Sequence, residues 1–261
     1  MDRKNIDKIS QSPEDRLLLA RLWDKINSGV QKNIPSNTGF LSPREQELAQ
    51  YLFGDAEGIF AFGGYDEAER KMLVYLPDYC EEGCLWEDDS PIYCLRSEFY
   101  QEDTLTHRDF LGALIGCGID RSCIGDICVG KGRCDFFVTA EIAPYLLQNF
   151  TSAGRVKLRL KQIPLCDAHI PDPEFFEIRD TLASVRLDSV ISSGFRISRS
   201  QAADAICAGK AAVDGIPCEK PDKPVAAGAK ISLRGMGKIK LESIGGVSRK
   251  GRTCVVIYKY V

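Results

Sequence analysis

Apolar residues recur along this chain with two different periods. In "SPEDRLLLARLWDKINSG", Leu18, Leu22 and Ile26 fall at i, i+4 and i+8, with Leu19 and Trp23 beside them. That is the stripe of an amphipathic helix. Ser12 stands as its N-cap, Pro13 at its first position and Gly29 as its stop. "LSPREQELAQYLFG" repeats the scheme with Ser42, Pro43 and Gly54. "GIFAFGGYDEAERKMLVYLP" then reads as two strands around a polar connection. Residues 1–77 are therefore expected to form a small α/β domain.

From residue 78 to 163 the two periods alternate. "PIYCLRSEF" is a strand and "THRDFLGALIGCG" a helix, with Thr106 and Asp109 at capping-box spacing. "IGDICV" and "RCDFFVT" are strands joined by "GKG", and "TAEIAPYLLQNF" is a helix capped by Thr139. "GRVKLRLKQI" closes the unit as a strand of strict alternation. The order βαββαβ is the ferredoxin-like one that RNA-recognition modules share. In the last strand Val156, Leu158 and Leu160 face one way; Arg155, Lys157, Arg159 and Lys161 face the other. Four cations in a row without a carboxylate repel one another unless something anionic covers them. Phe136 and Phe137 are a faint echo of a base-stacking pair, in which one ring faces outward and the other is core.

"PLCDAHIPDPEFFEIRDT", residues 164–181, carries three prolines and several acids and reads as a linker. Residues 182–261 follow as a last unit. "RLDSVISSG" is a short helix with Leu187, Val190 and Ile191 on one face and Gly194 as its stop. "SRSQAADAICAG" has a capping box in Ser198 and Gln201 and ends at Gly209. Asp214-Gly215 turns a hairpin, and "KISLRG" and "GKIKLESI" add two strands. The overall class is α+β. Two helices on a small sheet leave little room for a catalytic pocket. The start of the second helix, where Arg199 sits, attracts phosphate through free N–H groups and the helix dipole.

Charge sharpens that picture. The 261 residues carry a net charge of −3. Residues 180–261 alone hold 14 Lys and Arg against 7 Asp and Glu, which leaves −10 for the rest. An acidic body with a basic C-terminal unit points to a polyanionic partner for that unit. No apolar run approaches a membrane span, and the N-terminal stretch lacks the apolar core of a secretory signal, so a cytoplasmic protein with no membrane partner is expected. The eleven cysteines are odd in number, which argues against a disulfide framework. Their gaps do not match a closed tetrahedral zinc site, so no metal or other cofactor is expected. Cys80, Cys84 and Cys94 are the only set worth weighing. Cys128 and Cys134 fall on strands, as small buried hydrophobes. His107 and His169 are the two histidines, expected at a helix start and in a loop. "GKGRC" lacks phosphate-loop spacing.

The residues also resemble known families. "RLDSVISSGFRISRSQAADAICAGKAAVDG" followed by "KPDKPVAAGAKISLRGMGK" is similar to the S4 RNA-binding domain. The resemblance implies phosphate contacts by Arg186, Arg199, Lys210, Arg234 and Lys238, with Ser198 and Ser200 as hydroxyl donors. Arg196 and Lys223 complete that candidate RNA-binding set, and Arg155, Lys157 and Arg159 form the second. The turn has Asp214 where the family usually has Asn. "LTHRDFLGALIGCGIDRSCIGDI" with "TAEIAPYLLQNFTSAGRVKLRL" resembles the YlmH family of bacterial ribosome-associated proteins, over nearly the whole chain. That implies an RNA-recognition-like middle domain, a C-terminal S4 domain, and partners in rRNA, tRNA and the ribosome, on its large subunit. It also implies a role in translation quality control, with no catalytic residue and no small-molecule substrate. Three rivals remain: an RNA-modifying enzyme of the pseudouridine-synthase type that uses Asp188 of the RLD triplet, a metal or redox protein built on the cysteines, and a protein scaffold using the acidic half.

Overall fold

The computed structural model describes residues 6–10, 12–54, 56–87, 89–172, 174–248 and 251–260. The termini of the first and last expected units lie outside these residues. Two compact units emerge, Met1–Pro171 and Asp172–Val261.

The first unit begins with α1 (Ile6–Ile9) and α2 (Pro13–Lys32). Leu22 and Ile26 of the expected stripe are buried in α2, but Leu19 takes the third core position and Leu18 is only half-buried beside it. Gly29 does not stop the helix. It lies within it, where a Cβ would meet Ser36 Oγ at 2.1 Å. Asn33, left-handed at φ 52°, ends the helix one turn later. A short β1 (Ser36–Asn37) precedes α3 (Pro43–Phe53), which starts at the expected cap Ser42 and stops at Gly54; Glu45 completes a capping box with Ser42. β2 (Ile59–Phe62) and β3 (Met72–Tyr75) complete a sheet of order β1-β3-β2.

β4 (Ile92–Glu98), α4 (His107–Gly116), β5 (Ile124–Gly130), β6 (Arg133–Thr139) and α5 (Ala143–Asn149) follow. α5 is shorter than the pattern implies. Thr139 belongs to β6, and Ile142 takes the N-cap position, because Pro144 suits only the first helical turn. The expected single basic strand is broken at Leu158. β7 (Ser152–Ala153) and β8 (Val156–Lys157) form a two-stranded ribbon, and β9 (Arg159–Ile163) joins the main sheet. The main sheet runs β5-β6-β4-β9, all antiparallel. This is the ferredoxin-like arrangement the element order implies. Phe110, Leu114, Phe136, Val138 and Leu146 fill the core between this sheet and its helices. On the other face of the sheet Ile92, Cys94 and Phe137 pack with Phe40, Phe62 and Met72. Residues on both sides of position 77 therefore share one core.

The second unit opens earlier than the proline-rich pattern suggests. Residues 175–181, read as the end of a linker, belong to β10 (Phe175–Leu182), which pairs with the last strand along its length. α6 (Leu187–Phe195) runs through Gly194 rather than stopping there. A Cβ at Gly194 would come within 2.7 Å of Ile239, so glycine allows the helix to lie close on the sheet. α7 (Arg199–Cys207) starts at the expected Ser198–Gln201 capping box. β11 (Ala211–Val213) and β12 (Ile216–Pro217) are joined through Asp214 and Gly215, both at positive φ, as a two-residue primed turn needs. β13 (Lys230–Leu233), β14 (Gly237–Val247) and β15 (Thr253–Tyr260) follow. The sheet is six-stranded, in the order β10-β15-β14-β13-β11-β12, larger than the small sheet expected. Leu187, Val190, Ile191, Ala202 and Ile206 of the helices pack on Ile231, Ile239, Leu241 and Ile257.

Candidate nucleic-acid interface

The junction of α6 and α7 is built around a carboxylate. Asp188, buried in the first turn of α6, accepts from Arg199 Nη2 at 2.6 Å and from the Ser189 N–H at 2.8 Å. Arg186 Nε stands 3.5 Å away from the same carboxylate. Burial pushes the Asp188 carboxyl up. The Arg199 hydrogen bond and charge outweigh it, so the group stays below the usual carboxylate range. The pairing leaves 55% of the Arg199 side chain and 41% of the Arg186 side chain exposed. Two guanidinium groups are thus oriented from beneath and open outward.

Between the helices the chain reverses at Arg196, left-handed at φ 55°, and Ser192 Oγ donates to the Ile197 carbonyl at 2.7 Å. The Ser198 hydroxyl accepts the Gln201 N–H at 3.1 Å and lies 3.0 Å from Ser200 Oγ. Capping therefore occupies Ser198, and Ser200 is the freer hydroxyl. A cleft of about 350 Å³ opens beside them, lined by Arg196, Arg199, Arg252, Ser189, Ser192 and Ser193 among others. Arg252 carries no local signal in the sequence. It sits just ahead of β15, and its guanidinium donates to the Thr181 carbonyl and hydroxyl of β10. Only the pairing of β10 with β15 brings it to the cleft.

The other candidates of this unit divide. Lys223 is beside Arg186: its carbonyl accepts the Leu187 N–H at 2.9 Å, and Arg186 bridges to Pro224. Lys210 and Arg234 are backbone neighbours, with the Arg234 N–H on the Lys210 carbonyl at 2.9 Å. They lie with Lys238 near the β13–β14 turn, beyond the C-terminal end of α7, about 13 Å from its start by helix rise.

In the first unit Arg155, Lys157 and Arg159 are exposed, as the alternation requires. Their row is not free of carboxylates. Glu98 stands opposite Arg159 on β4 and binds Lys161 Nζ at 2.6 Å, and Lys161 holds the Glu98 carboxyl below its usual range. Arg96 pairs with buried Asp135 through both oxygens, at 2.8 and 2.6 Å, and Asp135 also accepts the His169 N–H. A cleft of about 560 Å³ is lined by Arg96, Glu98, Gln101, Lys131, Arg133 and His169, with Phe99 and Gly132. Lys131 and Arg133 carried no pattern in the sequence. An aromatic platform is absent at the position considered for it. Phe136 is in the core under the helices, and Phe137 is covered by Tyr65, ring centroids 5.1 Å apart.

The cysteines bring nothing further to these sites. Cys128 lies on β5 and Cys134 on β6, and burial pushes the Cys128 thiol up to about 12 and raises Cys94 and Cys134 further. Among the described residues no three His, Cys, Asp or Glu side chains are grouped to hold a metal ion. His107 begins α4 and His169 lies in a loop, as expected. Among the described residues no helix is long and apolar enough to cross a membrane.

Comparison with known proteins agrees with this layout. The family model described as "Putative RNA-binding domain in YlmH" matches residues 98–167, and the S4 domain model matches residues 185–231. A curated relative from Bacillus subtilis (strain 168), "Ribosome-associated protein quality control protein P2", is 35% identical over 218 residues, covering 82% of this chain and 83% of the relative. A solved structure, "Cell division protein ylmH from Streptococcus pneumoniae", aligns with a TM-score of 0.50 at 24% identity, over 62% of this chain and 98% of its own. At that identity the alignment speaks for the fold. With both domain models in sequence and a relative matched across most of its length, the chain belongs to the YlmH family of RNA-binding proteins.

Proposed function

We propose that this protein is a non-catalytic, cytoplasmic RNA-binding protein that acts on the ribosome, contacts rRNA and tRNA at the large subunit, and serves translation quality control. The observation that carries the reading is the pair Arg186 and Arg199, oriented by buried Asp188 beside the start of α7. A preset guanidinium loses little entropy on meeting a phosphate, and the helix N-terminus adds N–H donors. Arg196, Ser200, Lys223 and Arg252 extend that surface; Lys210 and Arg234 add cations at its far end, and Lys238, next to core residue Ile239, lies on the opposite face of the sheet. Arg155, Lys157 and Arg159 supply the corresponding surface of the first unit. The relative's name, which places it on the ribosome in quality control, supports the same assignment here. The placement of Asp188 supports a non-catalytic role. Its carboxylate is engaged by Arg199 and by the Ser189 N–H, an arrangement suited to holding arginines rather than attacking a base.

The test is R186A/R199A in the full chain, with ribosome cosedimentation measured at several salt concentrations. Binding should weaken, and the slope of log K against log salt should fall by about one for each lost phosphate contact. Circular dichroism must first show the variant folded, because arginine stems also pack. A folded variant with unchanged affinity and slope would place the binding surface elsewhere.

A further inference from the structure

We infer that the six-stranded sheet of the second unit carries a separate single-stranded RNA platform on its face away from α6 and α7. Residues of β15 alternate. Val255 and Ile257 are in the helix-side core, and Lys259 lies over the Phe195 ring of α6 at 5.7 Å. Val256, Tyr258 and Tyr260 therefore face the opposite way. Registers extend this face. Tyr258 is opposite Lys240 on β14 and Glu177 on β10, and Tyr260 is opposite Phe175. Lys240 is opposite Lys230, and Lys238 opposite Ser232. Phe175 stacks on Tyr258 with ring centroids 4.1 Å apart and 19° between planes, and Phe175 is 43% exposed.

The outcome is an aromatic patch of Phe175, Tyr258 and Tyr260 beside a row of Lys230, Lys238 and Lys240. Lys240 is held by Glu242 at 2.7 Å, and Arg179, on the same face, by Glu177 at 2.5 Å. Lys230 and Lys240 still oppose one another across adjacent strands. Glu242 neutralises one of the two ammonium charges, and the pair keeps a net positive charge on this face. Flat rings and cations in neighbouring rows suit an unpaired strand, whose bases stack while its phosphates meet the ammonium groups. A duplex hides its base faces and cannot use the rings. This platform is on the other side of the sheet from the cleft of Arg196, Arg199 and Arg252. It deepens the RNA-binding reading and rests on it only for the class of partner.

The test uses the full chain, a fluorescein-labelled twelve-nucleotide oligouridylate, and a hairpin RNA as comparator, with binding read by anisotropy. Y258L keeps an apolar partner for Phe175 and so preserves the fold. It should weaken oligouridylate binding by about tenfold through loss of one stacking surface, while leaving the hairpin unchanged. K230Q/K238Q should lower the oligouridylate salt slope by about 1.4, at about 0.7 for each contact. R186A/R199A should show the reverse preference. Photocrosslinking of 4-thiouridine oligomers to the unaltered protein gives a readout free of folding effects, and should map to peptides spanning 254–260. Equal loss for both RNAs, no loss in a folded Y258L, or crosslinks confined to α6, α7 or the first unit would each overturn the platform. Normal oligouridylate results with unchanged ribosome binding in R186A/R199A would instead count against the proposed function and leave the platform standing.

Discussion

Replacing Asp188 by Asn tests the central contact directly. The substitution is nearly isosteric, so it keeps an acceptor for the Ser189 N–H and removes only the charge. What is lost is the pair with Arg199 at 2.6 Å and the longer attraction to Arg186 at 3.5 Å. A hydrogen bond to a charged group is worth about 1.5–3 kcal/mol net. Arg199 is more than half exposed, which moves the figure toward that of surface pairs, so the expected loss is about 1–2 kcal/mol. For a unit the size of residues 172–261 that lowers the melting midpoint by about 5–15 °C. The assay can separate the two units. Both tryptophans, Trp23 and Trp86, lie in the first unit, so their fluorescence reports it alone, whereas far-ultraviolet circular dichroism reports both. The urea transition seen by tryptophan should stay in place while the dichroism of the second unit shifts to lower urea. The pH dependence has a defined sign. The folded Asp188 carboxyl titrates below its unfolded value, so its contribution is full above about pH 4 and is lost as pH falls through the lowered folded value. The difference between native protein and variant should vanish in that acid range. Equal stability of the two at neutral pH, or a difference that persists in acid, would refute the reasoning.

Two further outcomes follow from packing. Gly194→Ala places a methyl against Ile239 and Ile257, and overpacking of this kind should cost about 1–3 kcal/mol in the second unit, read by the same dichroism transition. Iodoacetamide at mildly alkaline pH should label the exposed Cys166, Cys207 and Cys254 in the folded protein and spare Cys94 and Cys134, whose thiols burial keeps protonated; peptide mass spectrometry reads the pattern.

Local chemistry was legible in the chain itself. The cap at Ser42, the capping box at Ser198 and the Asp214-Gly215 turn each depend on residues a few positions apart, and each formed as read; from Arg155 to Lys161 the outward cations formed as read, but the strand breaks at Leu158. Glycine was the weak signal. Gly29 and Gly194 read as helix stops, yet both sit inside helices because another element approaches too closely for a side chain, a fact no local pattern carries. The same reason governs the sites. Arg186, Arg199 and Asp188 are eleven to thirteen residues apart or less, so their meeting could be guessed from two adjacent helices. Arg252 reaches the cleft only because β15 pairs with β10, and its hydrogen bonds to Thr181 span 71 positions. Arg96, Lys131 and Arg133 converge through the pairing of β4 with β6, and the aromatic side of the second sheet exists only once Phe175 is set opposite Tyr260. Strand pairing is a long-range choice, made by whichever register buries the most apolar surface. The chain specifies each strand's two faces, and the tertiary structure alone decides which cations and rings become neighbours.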